Sequence, residues 1–387
     1  MKAVPSKSLV LLIAAGMLCA PQVSYAAAAP SGKGKHYDAE WKTHKALDDD
    51  YEVLQLTTSD ALDNKMYLDV DPYVPSLNSV VFNSTRHSDD RDDRDDRDDR
   101  DDDAENLYLM SLDDGTFVQL TDSDDIDGDH ANVSQETEEA FFREGRTMKR
   151  VSLREPYKER EIRTVDERFD IKGILDLTTD GKTIAASLYD EDEDRTTLVT
   201  VDVSSGDMKT VKKIDHRVDH VLINPHYGDT LLYHVYEEHE IGVVDIETGD
   251  KTILTVPGDH GVHPFWQEDG VHAAYVDKTH DPRQIVSYDI RQESFVIYDV
   301  PVDGNHFAMN PAQTILQSDG IRGKDNYIYY YKINPNDDTL DARRMYKHDS
   351  SSDSEAVHPH AAFINNHDLI FNSDRDDSGD VYLLRRK

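Results

Sequence analysis

Val201-Asp202-Val203-Ser204-Ser205-Gly206 returns 43 residues later as Val244-Asp245-Ile246-Glu247-Thr248-Gly249, and Tyr288-Asp289-Ile290 follows after another 44. Each copy is an apolar strand end running into a polar turn. The same slot recurs at Ser111 (after NLYLM), Ser152, Lys332 and Arg385, so seven slots lie 41 to 53 residues apart. One four-stranded propeller blade takes roughly 40–50 residues, and seven blades close a ring. The spacing therefore predicts an all-β protein, a seven-bladed β-propeller with four-stranded blades over residues 53–387. A pair of β-sandwiches with accidental spacing is the competing architecture.

Outward from that repeat, the rest of the chain agrees. Val80-Val81-Phe82, Leu198 to Val203, Thr230 to Val235, Ile241 to Ile246 and Tyr327 to Ile333 read as strands. Asp114-Gly115, Asp180-Gly181, Thr248-Gly249 and Asp269-Gly270 punctuate them as turns. Phe82-Asn83-Ser84-Thr85-Arg86 is echoed by Phe371-Asn372-Ser373-Asp374-Arg375. An N-terminal strand near Val53-Leu54-Gln55-Leu56 is expected to pair into the last blade, which closes the ring and removes its exposed edges.

Three segments stand outside the repeat. Residues 1–26 have the layout of a secretory signal peptide: Lys2 and Lys7, an apolar run from Ser8 to Ala20, and a Ser24-Tyr25-Ala26 cleavage site. The expected location is the periplasm or the exterior. The single cysteine, Cys19, falls inside that run behind Leu18, which argues against lipid anchoring and leaves the mature chain without a thiol. Residues 27–52 are expected to be a linker. Residues 87–104 contain the run DDRDDRDDRDDRDDD, a solvated insertion within a hairpin of the first blade. Nearby, Asp125-Ile126-Asp127-Gly128 has the look of an EF-hand loop, but Ser123 and Ser134 occupy its first and last carboxylate positions.

Charge excludes one class of partner. The formal net charge is −37, and a nucleic-acid phosphate backbone needs a basic footprint that this chain does not have. No second apolar run reaches membrane length, so no membrane insertion is expected, and a monomer is the simplest assembly. There is no G-x-S-x-G and no room for a hydrolase domain, which disfavours a prolyl-oligopeptidase type of enzyme.

The histidines follow the same register. His220, His263 and His306 are each 43 residues apart and His358 follows 52 later, 25 to 27 residues upstream of the strand slots. Four consecutive blades thus place a histidine near the start of their innermost strand, facing the channel. His360 joins through His358-Pro359-His360, whose spacing of two puts both side chains on one face of a strand. Converging neutral imidazoles with an oxygen donor, for which Glu355 is placed, suit Mn, Fe, Ni or Zn. Packing of each histidine at a blade joint is the alternative. His36, His87, His130, His239, His280 and His348 fall in loops or out of register and read as surface or packing residues.

Val357-His358-Pro359-His360 followed by Leu369-Ile370-Phe371-Asn372-Ser373-Asp374 resembles the last blade of the oligogalacturonate lyases. Asn305-His306-Phe307-Ala308-Met309-Asn310 and His263-Pro264-Phe265-Trp266 are similar to the two blades before it. Asn106-Leu107-Tyr108-Leu109 through Gln119-Leu120-Thr121 resembles the first. The resemblance runs from about Val53 to the end and is specific from about Gly261. It implies a seven-bladed propeller holding manganese through His306, His358 and His360, with Glu355 where the family has glutamine. It also implies His263 as the base. The family arginine of the preceding blade has no counterpart: His234 to Val243 reads HVYEEHEIGV, with Glu237, Glu238 and Glu240.

The function this implies is metal-dependent β-elimination on an anionic oligosaccharide, an oligouronide, giving 4,5-unsaturated products. His263 would take the C5 proton and His220 would touch substrate or serve as a second acid–base group. Arg283 and Arg322 are candidate substrate contacts. A non-catalytic propeller of the TolB type, with structural histidines, is the competing function.

Overall fold

The repeated phrase has a local cause. In the computed structural model, which describes residues 32–86, 105–321 and 324–387, Asp202 Oδ1 accepts the backbone N–H groups of Ser204 and Ser205. Asp245 Oδ1 does the same for Glu247 and Thr248, and Asp289 Oδ1 for Arg291 and Gln292. The carboxylate satisfies donors that the turn leaves unpaired. Gly206 and Gly249 then close the turn at φ +73° and +71°, donating back to the Asp202 and Asp245 carbonyls. Gly206 has a second reason: a Cβ there would lie 2.4 Å from the Ile162 carbonyl of the neighbouring sheet.

All seven slots end, or lie in, the third strand of a sheet: Asn106–Ser111, Thr147–Ser152, Arg195–Asp202, Glu240–Asp245, Gln284–Asp289, Tyr327–Ile333 and Asp380–Arg386. Seven antiparallel sheets result, hereafter blades 1 to 7 in chain order, and the fold is a seven-bladed β-propeller. Blade 3 shows the plan: Asp170–Leu177, Thr183–Asp190, Arg195–Asp202 and Met208–Asp215, in that order from the channel outward. The β-sandwich alternative is excluded. Among the described residues no helix is long and apolar enough to cross a membrane.

Blades pack through apolar faces. Phe141 and Met148 of blade 2 meet Leu175, Ile184 and Val201 of blade 3, and Leu198 of blade 3 meets Leu231 and Tyr233 of blade 4. Each such fully buried side chain contributes about 1.5–3 kcal/mol. Without a disulfide among them, these interfaces carry the ring. Closure comes from Tyr51–Gln55, which pairs with Asp380–Arg386 in the register Val53↔Leu384 and Leu54↔Leu383. Val53 then packs against Ile328 and Met345 of blade 6.

The stretch expected as a linker is different where it is described. His36–Tyr37 adds a strand outside Phe117–Gln119 of blade 1, and Lys42–Lys45 adds one outside Tyr51–Gln55 of blade 7. Both strands are short and polar (KTHK in the second), so no hydrophobic alternation announces them. Residues 1–26 and 87–104 lie outside the described residues. The strands flanking the latter, Ser79–Ser84 and Asn106–Ser111, pair directly with each other in blade 1.

Candidate functional site

The innermost strands deliver their histidines to one place. His220 sits on Val218–Ile223, His263 on Gly261–Trp266, His306 just before Phe307–Met309, and His358 and His360 just before Ala362–Phe363. All five line one cavity of about 700 Å³ at the channel. Four of their rings form a circuit with Tyr67: His220–His263 6.3 Å, His263–His306 4.6 Å, His306–His360 4.7 Å, His360–Tyr67 4.7 Å and Tyr67–His220 5.3 Å between centroids. The backbone is forced at two of them. His263 has φ +47° and His360 φ +40°, a region that non-glycine residues enter at a cost and that clusters at functional sites.

Three of these histidines can share an ion. One ring nitrogen each from His306, His358 and His360 lies within 4.8 Å of the other two. The surrounding residues orient that cluster. His306 Nδ1 is 2.7 Å from the Asp319 carboxylate, both side chains being buried, and Asp319 Oδ1 also accepts the His306 N–H. With Nδ1 as the donor, the Nε2 lone pair faces the site, where the Asn305 amide lies 3.0 Å away. This carboxylate–histidine arrangement fixes tautomer and ring orientation at metal sites. Burial alone would raise Asp319, but the facing His306 and its two hydrogen bonds outweigh it and hold the carboxyl low, at about 2.

The turn carrying His358 and His360 is clamped from behind. Asn372, from the echoed FNSD fragment, donates through Nδ2 to the His358 carbonyl (3.3 Å) and through its N–H to the Pro359 carbonyl (2.9 Å). Fully buried Lys65 donates to the carbonyls of His360 (2.9 Å) and Tyr67 (3.1 Å). The imidazoles of His358 and His360 on this braced turn, with that of His306 from the blade before, form a donor set that fits a divalent transition metal. Glu355 opens the turn Glu355–Val357, but its side chain lies outside the described residues.

His263 is a different kind of histidine. Burial first, then the charges of His306 and Lys278, push its pKa well below the ordinary value. It is therefore neutral at pH 7, and its Nδ1 has no hydrogen-bond partner among the described residues. His220 is held on both sides, Nδ1 at 3.3 Å from Asp69 and Nε2 at 3.4 Å from the Tyr67 hydroxyl. Arg283 does not line this cavity. It braces the turn before His306 instead, donating to the Gly304 carbonyl and Asn305 Oδ1. Arg322 lies outside the described residues.

Sequence reasoning missed several lining residues. His130, read as a loop histidine, is in the cavity wall with Nδ1 2.8 Å from Asp127. His234 is there too, because the register pairs it directly with His220. Counting back from the turn at Asn224 to Gly228 would have found it. Four cations also line the cavity: Arg143, Lys172, Arg217 and Lys278. Positive charge thus enters from other positions than the arginine-free stretch, where Glu240 is occupied by the Tyr233 hydroxyl and Lys251.

The structure compares closely with two solved ones. An oligogalacturonate lyase in complex with manganese superposes with a TM-score of 0.81 at 18% identity, over 92% of this chain and 98% of that one. The fold is theirs. A second oligogalacturonate lyase, from Vibrio parahaemolyticus, gives 0.77 at 19% identity, over 91% and 98%. No protein-family model matches the chain, and no curated protein matches it in sequence.

Proposed function

We propose that this protein is a metal-dependent lyase that cleaves oligouronides, oligogalacturonate-like chains, by β-elimination. The observation that carries the proposal is the placement of His306, His358 and His360 within mutual ligand distance, beside a buried neutral histidine, on this fold. A divalent ion bound there, Mn²⁺ being the ion in the solved neighbour, supplies positive charge to a substrate carboxylate and to the charge that develops on it. The remaining work falls to the chain. His263 accepts the C5 proton on a ring nitrogen. The C5–H electrons form the 4,5 double bond, and the bond from C4 to the linking oxygen breaks with its electron pair leaving on that oxygen, which takes up a proton to become the hydroxyl of the released sugar. Tyr67 and His220, joined by their hydrogen bond, face the same cavity and position the sugar hydroxyls. Asp319 keeps His306 oriented, and Lys65 keeps the turn of His358 and His360 fixed.

A protein of net charge −37 repels an anionic polymer at long range, so the local positive charge must come from the cavity itself. The leader-like residues 1–26 extend the proposal to an exported enzyme, acting in the periplasm or outside the cell. The test is direct. Purified protein is incubated with tri- and digalacturonate and with other uronides, with and without Mn²⁺, while the absorbance of the unsaturated product is followed. A metal-dependent rise is expected. Its absence across the panel overturns the lyase assignment in favour of a non-catalytic binding propeller.

A further inference from the structure

Of the four cations in the cavity wall, three have their own counter-charge. Arg143 is paired with Asp127, Lys172 with Asp170 at 3.2 Å, and Arg217 with Asp219 at 2.6 Å. Lys278 is different. Burial and the charge of Arg283 both lower its pKa, and no carboxylate among the described residues offsets them. Its neighbour Asp277 is already taken by the N–H groups of His260 and Thr279 and by His280 Nδ1. In a chain with 79 acidic against 42 basic residues, an unpaired half-buried lysine is not for want of carboxylates.

A second unpaired group stands beside it. His234 is 2% exposed, and neither ring nitrogen has a hydrogen-bond partner among the described residues. Its ring lies 5.9 Å from that of His220 across the strand pair. Lys278 lines the same cavity, and after burial its charge is among the causes that depress the pKa of both His234 and His263. Leaving a buried polar group unsatisfied is costly, and an unpaired charge costs more. Two such groups sharing one cavity of about 700 Å³, in the size range of ligand sites, point to a ligand that pairs them.

We propose that Lys278 and His234 form the binding site for the acidic sugar next to the one at the histidine cluster, with Lys278 pairing its carboxylate. The inference rests on the uronide reading of the cavity. Under that reading the histidine cluster of blades 6 and 7 serves one carboxylate. The ammonium of Lys278 donates to the next one, and the neutral imidazole of His234, one donor and one acceptor, matches a sugar hydroxyl.

The test uses Mn²⁺-loaded protein, with trigalacturonate binding followed by calorimetry and cleavage by initial rates. Lys278→Met is expected to raise Kd and KM at least about tenfold, as loss of one charge-assisted contact does, with a smaller change in kcat. Lys278→Arg should restore most of the affinity, and His234→Gln should weaken it less than Lys278→Met. Galacturonate monosaccharide should bind wild type and Lys278→Met alike. If wild type binds and cleaves trigalacturonate but Lys278→Met is unchanged, the second-carboxylate site is overturned and the lyase stands. Binding that depends on Lys278 without cleavage supports the site and overturns the reaction. A wild type that does not bind trigalacturonate at all overturns both.

Discussion

The wall of the channel has two halves built on opposite rules. On blades 2 to 4, each lysine and arginine facing the cavity has a carboxylate in the same or the adjoining strand: Arg143 has Asp127, Lys172 has Asp170, and Arg217 has Asp219. His234 of blade 4, unpaired among the described residues, belongs with the other half. On blades 5 to 7 the wall is imidazole, held by carbonyl clamps and one buried carboxylate, and Lys278 has no counter-charge among the described residues. The difference separates two uses of polarity. A buried polar group that serves the fold is given its partner by the chain, whereas one that serves a ligand has its partner withheld. On this rule the paired half should govern stability and the other half binding.

The largest effect is expected from the ligand cluster. His358→Ala leaves two imidazoles of the three, and the affinity for Mn²⁺, measured by titration, should fall by more than the roughly 10–100-fold that loss of an outer hydrogen-bond partner costs. Lyase activity should vanish with it. Next is Asp319→Asn, which keeps the shape but removes the charge that holds His306 Nδ1. Its expected cost is about 10–100-fold in metal affinity with the ligands intact. Equal metal binding by wild type and either variant would break the comparison on its functional side.

The paired half offers the converse. Arg143 bonds Asp127 within blade 2 and the Ile171 carbonyl across the joint to blade 3. Arg143→Gln should lower the unfolding free energy by about 1–3 kcal/mol, because Asp127 loses its cation and a carbonyl loses its donor. Metal affinity should stay within about twofold, as expected for sites without shared partners. Chemical denaturation and Mn²⁺ titration on the same preparation separate the two quantities.

Much of this was legible in the sequence because it is periodic. The Asp-x-x-x-Gly turn is a local hydrogen-bond device, so it repeats in letters wherever it repeats in space, and it located the third strand of the blades that carry it. The histidines of blades 4 to 7 were visible for the same reason. What stayed hidden depends on pairing across strands or blades. His234 faces His220 only through the hairpin register, Asp319 reaches His306 from the next strand, and Lys65 comes to His360 from the other end of the chain. Lys278 carries no pattern at all, since its distinction is a missing partner. The outer strands at His36–Tyr37 and Lys42–Lys45 were hidden by their polarity.

The smallest expected effect tests the rule farthest from the cavity, at the seam that closes the ring. Asp380 is buried, and its carboxylate accepts Gln55 Nε2 at 3.0 Å and Thr57 Oγ1 at 3.1 Å from the N-terminal strand. Burial, and then the nearby Asp63, raise its pKa to about 7 against the opposing pull of those two donors. A carboxyl with a folded pKa above its unfolded value of about 3.9 contributes stability that is fully present below that value and is lost as pH rises through about 7. Wild type should therefore lose stability between about pH 6 and pH 8, by an amount on the order of 1–2 kcal/mol from this group. Asp380→Asn, neutral throughout, should show a shallower fall in Tm over that range, so that the variant gains on wild type as pH rises. Metal affinity should not move. A pH slope identical in both proteins would show that the seam carboxylate is already ionised in the fold, with Gln55 and Thr57 outweighing burial.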